Sequence, residues 1–250
     1  MLIRSFKRSW FYLLISAAIA IVTSNVVFPQ PLIVPYTMTG FLDNTESFLP
    51  ILFAVYCSFL FPSFFEIELS LVCGVKTGKF VFSKAIPVFI YTVIPCLALI
   101  PFYRYTPFKG DVPTKIPIFV PDGYKTYMFI SLFVTLLFSF ALFLFYRVAT
   151  RNCYITAFLS ITTVFAFYSF NKSIQQGSSD LRLCLIDPHI SIYFLGNRVP
   201  NDLSEQYERM KILKNAWTVN RLIFLILSLG LLTATVFLLR RERLHRGMGE

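Results

Sequence analysis

Six stretches of this chain run for 18 residues or more without an Asp, Glu, Lys or Arg, and they limit what it can fold into. They lie between Arg8 and Asp43, Glu46 and Glu66, Lys84 and Arg104, Lys125 and Arg147, Arg151 and Lys172, and Arg221 and Arg240. About 20 apolar residues cross the hydrocarbon core of a bilayer as a helix, and a charge placed at its centre costs at least about 2.5–3.5 kcal/mol. The next longest such run, between Asp187 and Arg198, holds 10 residues and is too short to cross. A lone segment in lipid must close its own backbone hydrogen bonds, so each run is predicted to be a helix. The runs lack the polar–apolar alternation of a membrane barrel strand.

Composition excludes the other classes. The chain is 56% hydrophobic and 14% charged, with 29 Phe, where soluble domains hold about 45–50% apolar and about 25% charged residues. Disorder needs low hydrophobicity and high charge, the opposite of what is present. The net charge of +10 is explained by topology. Six crossings put both termini on one side. If that side is cytoplasmic, 12 Lys and Arg fall in 43 inner residues and 11 in 76 outer ones. The denser basic side faces the cytoplasm and its anionic lipid headgroups, and nothing is left that calls for nucleic acid.

The predicted fold is therefore an all-α integral membrane domain over residues 1–250, with both termini cytoplasmic. Spans fall at about 9–28, 47–65, 82–103, 126–146, 152–171 and 221–240. Arg4, Lys7 and Arg8 ahead of an apolar run with Ala18 and Ala20 also resemble a signal peptide. That run continues through Val22, Val26, Val27 and Phe28, long enough to remain as the first span.

The first cytoplasmic connection, residues 66–79, is too long for a tight turn and too short for a domain, and it reads as a short interfacial helix. Ile67, Leu71 and Val75 recur at i, i+4 and i+8, and Glu66 and Glu68 stand where the positive end of a helix dipole favours acids. Gly74 and Gly78 are expected to break this helix before the third span opens at Phe80. It reads either as a solvated re-entry loop or as an elbow that docks on a cytoplasmic partner. Gly74, Gly78 and Lys79 mimic a phosphate loop, but the spacing is one residue short, and Phe80 stands where Ser or Thr would bind magnesium.

Catalysis and ion coupling find little purchase. Neither histidine, His189 nor His245, lies in a span, and the five cysteines Cys57, Cys73, Cys96, Cys153 and Cys184 form no obvious pair or metal set. The runs contain no acid or lysine to carry a coupling proton, although Ser, Thr and backbone carbonyls can bind sodium.

Three segments of the chain together resemble the six-span permease subunits of bacterial ABC exporters of the type-2 class. These are the basic start Met1 to Arg8, the Glu-led elbow Glu66 to Lys79 followed by Phe82-Ser83-Lys84, and the ending Asn220-Arg221, last span, Arg240-Arg241-Glu242-Arg243-Leu244. The elbow is similar to that family's coupling helix, which makes Glu66, Glu68, Leu71, Gly74, Lys79 and Lys84 candidates for partner binding. The resemblance implies a permease domain in a bacterial cytoplasmic membrane, paired with an identical or related second permease. Each copy would rest on a separate ABC ATPase, which carries the ATP and magnesium. No cofactor, metal or catalytic residue is expected on this chain. An external segment, 172–218, contains Asp202 with Glu205 as a helix start and Leu203, Tyr207, Met210 and Trp217 near one face, similar to the helix the family places before its sixth span.

Within the membrane, Ser16, Ala20 and Ser24 form a small-residue row on the first span, and Thr156, Ser160 and Thr163 a polar row on the fifth. Each row serves either packing inside the subunit or, on the fifth span, a lining for the path between two permeases. Pro62 and Pro95 are expected to kink their spans, and Trp10, Tyr146 and Trp217 to anchor span ends at the interface. The substrate class stays open among a hydrophobic drug, a lipid and an antimicrobial peptide. Two other functions fit the same sequence: a non-transporting assembly or sensory subunit that uses the elbow, and a secondary carrier.

Overall fold

The structure is a computed structural model that describes residues 10–11, 13–15, 17–18, 76–99, 124–177 and 203–245. These residues are helical apart from Lys76 and the Arg151–Asn152 link, and no strand occurs among them. Four helices carry the architecture: α1 (Thr77–Leu99), α2 (Tyr124–Thr150), α3 (Cys153–Gly177) and α4 (Leu203–His245). Three of them contain a stretch long and apolar enough to cross a membrane, Gly78–Pro95, Lys125–Thr150 and Asn215–Arg241. In α3 the apolar stretch is Cys153–Ala166.

The helix α2 is the centre of the bundle, and the other three pack against it. Of its spanning stretch 71% is buried, against 22% for that of α4. Leu132, Leu136, Phe143 and Leu144 on α2 are fully enclosed. Because lipid tails are as apolar as leucine, enclosure by itself gives little drive for association. Close packing and interhelical hydrogen bonds carry it. Phe138 of α2 meets Phe224 of α4 edge-on at 4.8 Å between ring centres, with Val134 beside them. Phe89 of α1 reaches α2 between Phe133 (6.3 Å) and Phe140 (4.9 Å).

Contacts fix the relative directions. Trp217 lies against Tyr127 and Ser131, Arg221 against Ser131 and Thr135, and Phe224 against Phe138, so α2 and α4 run parallel. Thr150 meets Thr156 and Tyr146 meets Thr163, so α3 runs antiparallel to α2. A two-residue link makes that reversal. Arg151 takes the left-handed conformation (φ 60) that ends a helix, and its N–H donates to the Arg147 carbonyl (3.3 Å). Asn152 then caps α3, its Oδ1 accepting from the backbone N–H of Tyr154 (2.8 Å) and of Ile155 (3.3 Å).

Two expected boundaries move. Gly78, expected to break the chain ahead of the third span, sits inside the first turn of α1, which opens at Thr77, and Lys79 belongs to the same helix. A Cβ on Gly78 would meet nothing within 4 Å, and one glycine near a helix start is readily tolerated. The helix expected before the sixth span and the span expected after it are one uninterrupted element, α4, because no proline and only Gly230 interrupts its 43 residues. Pro95 lies inside α1, and so does Pro87; each removes the helical N–H due to the carbonyl four residues earlier. Pro62 lies outside the described residues.

Candidate functional site

The feature that stands out chemically is a guanidinium enclosed between two apolar helices. Arg221 is 4% exposed and Asn220 is fully buried. The Arg221 Nε and Nη2 both donate to Asn220 Oδ1, at 3.0 and 2.7 Å. Its Nη1 crosses to α2, donating to the Ser131 carbonyl (3.1 Å) and the Thr135 hydroxyl (2.8 Å). The Phe224 ring, 5.9 Å from Cζ, covers the cation from one turn below. One turn above, Trp217 donates from Nε1 to the Ser131 hydroxyl (2.7 Å) and stands edge-on to Tyr127 (4.8 Å). Four charge-assisted bonds to neutral acceptors thus hold one cation.

Depth makes this a site and not a boundary. Ser131 and Thr135 lie about 9 and about 15 Å along α2 past Lys125, the last charge before its apolar run. In sequence, Arg221 closes a run. In the fold, its charge lies beside the interior of another. An ionisable group there is costly, and its retention points to function or to specificity of packing.

The second polar feature joins α2 to α3. Thr163 gives its only hydroxyl proton to the Leu159 carbonyl (2.7 Å), so in its 3.1 Å contact with Tyr146 the tyrosine is the donor. One end of this seam is proton-poor. Thr150 can donate to the Tyr146 carbonyl (2.8 Å), Thr156 to the Asn152 carbonyl (2.7 Å), and the two hydroxyls also lie 2.8 Å apart. The Thr150 hydroxyl also lies 3.3 Å from the Asn152 carbonyl, so four contacts share two protons, and one threonine leaves its backbone acceptor whenever the pair bonds. Ser160, between the two contacts, is fully buried, and its hydroxyl has no hydrogen-bond partner among the described residues.

Of the residues singled out in the sequence, Thr156, Ser160 and Thr163 come together on the face of α3 that meets α2. Lys79 and Lys84 lie on α1, where the Lys84 ammonium sits 5.7 Å from the centre of the Phe80 ring. Glu66, Glu68, Leu71 and Gly74 of the elbow, and Ser16, Ala20 and Ser24 of the first span, lie outside the described residues. Trp217 is a correction. Expected as an interfacial anchor, it is 5% exposed and hydrogen-bonded inside the α2–α4 seam, whereas Trp10 is 57% exposed. Sequence reasoning missed Ser131, Thr135 and Asn220 as a set. Their signal was the i, i+4 hydroxyl pair in the fourth run, facing Trp217, Asn220, Arg221 and Phe224 on one side of the last helix. Among the described residues no group of three or more His, Cys, Asp or Glu is placed to hold a metal. No family model, curated protein or solved structure matches the chain.

Proposed function

We propose that this protein is the six-span permease subunit of an ATP-driven exporter in a bacterial cytoplasmic membrane, working with a second permease and a separate ABC ATPase. The observation that carries the multi-span part is the direction of packing. With α2 and α4 parallel and α3 antiparallel to α2, the three helices alternate as the fourth, fifth and sixth spans must. The exporter part rests on the resemblance of the basic start, the Glu66–Lys79 elbow and the Asn220-Arg221 ending. In this reading ATP-driven closure of the partner moves the elbow, and the elbow moves the spans.

The test is purification of the tagged protein from its native membrane in mild detergent, with mass spectrometry of what accompanies it. A stoichiometric protein with a phosphate loop is the expected companion, and a second six-span chain beside it identifies a heterodimer. Absence of an ATPase after gentle crosslinking would overturn the exporter reading and leave an assembly or sensory subunit, or a secondary carrier. Transport driven by an ion gradient in ATP-depleted membranes would select the carrier.

A further inference from the structure

We infer that the seam between α2 and α3 binds one water molecule at Ser160, and that this water joins the Thr150–Thr156 pair to the Tyr146–Thr163 contact as a single polar network. The site depends on the hairpin of α2 and α3 alone, and neither transport nor a partner enters into it.

Ser160 behaves unlike the other enclosed hydroxyls. A serine or threonine inside a helix can return its proton to a carbonyl one turn back, and Ser139, Thr163, Ser228 and Thr235 do so at 2.9, 2.7, 2.6 and 2.8 Å. Ser160 forgoes that bond to the Thr156 carbonyl. It is 0% exposed, and its Oγ has no hydrogen-bond partner among the described residues. A buried hydroxyl that gives up the local bond keeps its full desolvation penalty unless something else receives its proton. Register puts the receiver in the seam. Ser160 follows Thr156 by four residues and precedes Thr163 by three, about 6 and about 4.5 Å along the axis, and both threonines meet α2. Two hydrogen bonds through one water bridge about 5.5 Å, enough to link Ser160 to either contact.

The count of protons shows what fits. Thr163 spends its proton on the Leu159 carbonyl and Tyr146 spends its own on Thr163, which leaves lone pairs on the tyrosine oxygen. At the link two hydroxyl protons serve four contacts. Ser160 has a proton to give. A molecule that accepts one bond from Ser160 and donates two, to Tyr146 Oη and Thr156 Oγ1, completes the network. Water does so, with the three partners usual for a buried water. Charge selects it over an ion. Residues 124–177 contain no Asp or Glu and carry Arg147 and Arg151 at this end, so a cation enclosed here would have no countercharge within the hairpin. An anion would face lone pairs already in surplus.

The experiment uses the full chain in lipid bilayers with isotope-labelled serine and threonine, and solid-state NMR reads how fast magnetisation passes from water to each side chain. Ser160 should receive it severalfold faster than Ser139, which is also buried but bonded to its own helix. Equal rates would overturn the site. Unfolding titrations of Ser160→Ala supply an independent sign. Loss of a hydroxyl that bonds nothing would make the variant more stable, whereas loss of the bridge should raise the unfolding equilibrium constant about fivefold, the worth of one ordinary net hydrogen bond. An unchanged or more stable variant would therefore also overturn it. Sodium takes the same oxygen ligands as water, so both measurements are repeated with choline in place of sodium. Unchanged values assign the site to water, and a fall of either in choline would transfer it to a cation and end the proposal.

Discussion

Replacing Asn220 by Leu should destabilise the protein more than removing the arginine it serves. Asn220 Oδ1 accepts two bonds from the guanidinium, and Asn220→Leu deletes both while the cation stays 4% exposed. Leaving a buried cation short of hydrogen bonds costs about 1.5–3 kcal/mol for each bond lost. Arg221→Leu loses four bonds, worth together about 2–7 kcal/mol at the values found between membrane helices. It also removes the burial of a cation, which returns about 2.5–3.5 kcal/mol for a group near mid-membrane. The net for Arg221→Leu then runs from a gain of about 1.5 to a loss of about 4.5 kcal/mol. The double variant should lie close to Arg221→Leu, well short of the sum, because the leucine at 220 then faces no charge. Unfolding titrations in mixed micelles read this directly. The chain has 2 Trp, so a Trp10→Phe background leaves Trp217, at the site itself, as the fluorescent probe. Additive costs in the cycle, or an Asn220→Leu variant that loses under about 1 kcal/mol, would refute the reasoning.

Other outcomes follow from single contacts. Asn152→Ala removes the cap of α3 and should cost about 1 kcal/mol in the same titration, with hydrogen exchange rising first at Tyr154 and Ile155. Gly78→Ala places a methyl in open space and should stabilise the chain by about 0.5–1 kcal/mol; a loss would show a close neighbour against the start of α1. Gly230→Ala is equally unobstructed and should behave alike in detergent, so a loss confined to native membranes would reveal a helix docked on that face. Reversing Glu66 and Glu68 to Lys should uncouple ATP hydrolysis from export while insertion stays normal, and export at the normal rate would sink the coupling role of the elbow.

How much was readable depends on whether a property lives in one dimension. Charge-free length does, and the helices α1, α2 and α4 each contain a stretch fit to cross a membrane where the sequence placed a run. A helix start at Asp202 is also local, and α4 begins at Leu203. The continuity of α4 was not inferred because the charges at Arg209, Lys211, Lys214 and Arg221 separate an aqueous arm from an apolar one, while backbone hydrogen bonding ignores that change of solvent. The polar row Thr156, Ser160, Thr163 was legible as a face, but its partners Thr150 and Tyr146 become neighbours only through the Arg151–Asn152 reversal. Arg221 was misplaced for a like reason: the run-counting rule assigns a charge to the edge of its own helix, and a parallel neighbour offset along the axis turns that edge into an interior.

The short link between α2 and α3 also bears on how this chain is made. The described apolar part of α3, Cys153–Ala166, carries hydroxyls that are a burden in hydrocarbon until Tyr146 and Thr150 answer them. Two residues of tether leave almost no loop-closure entropy to overcome. A nascent α3 therefore meets its hydrogen-bond partners as soon as it leaves the ribosome, and α2 and α3 partition into lipid as one hairpin. Lengthening that link with glycines leaves these contacts geometrically available, yet it exposes α3 to water during synthesis before its hydroxyls are partnered, where quality control would see it.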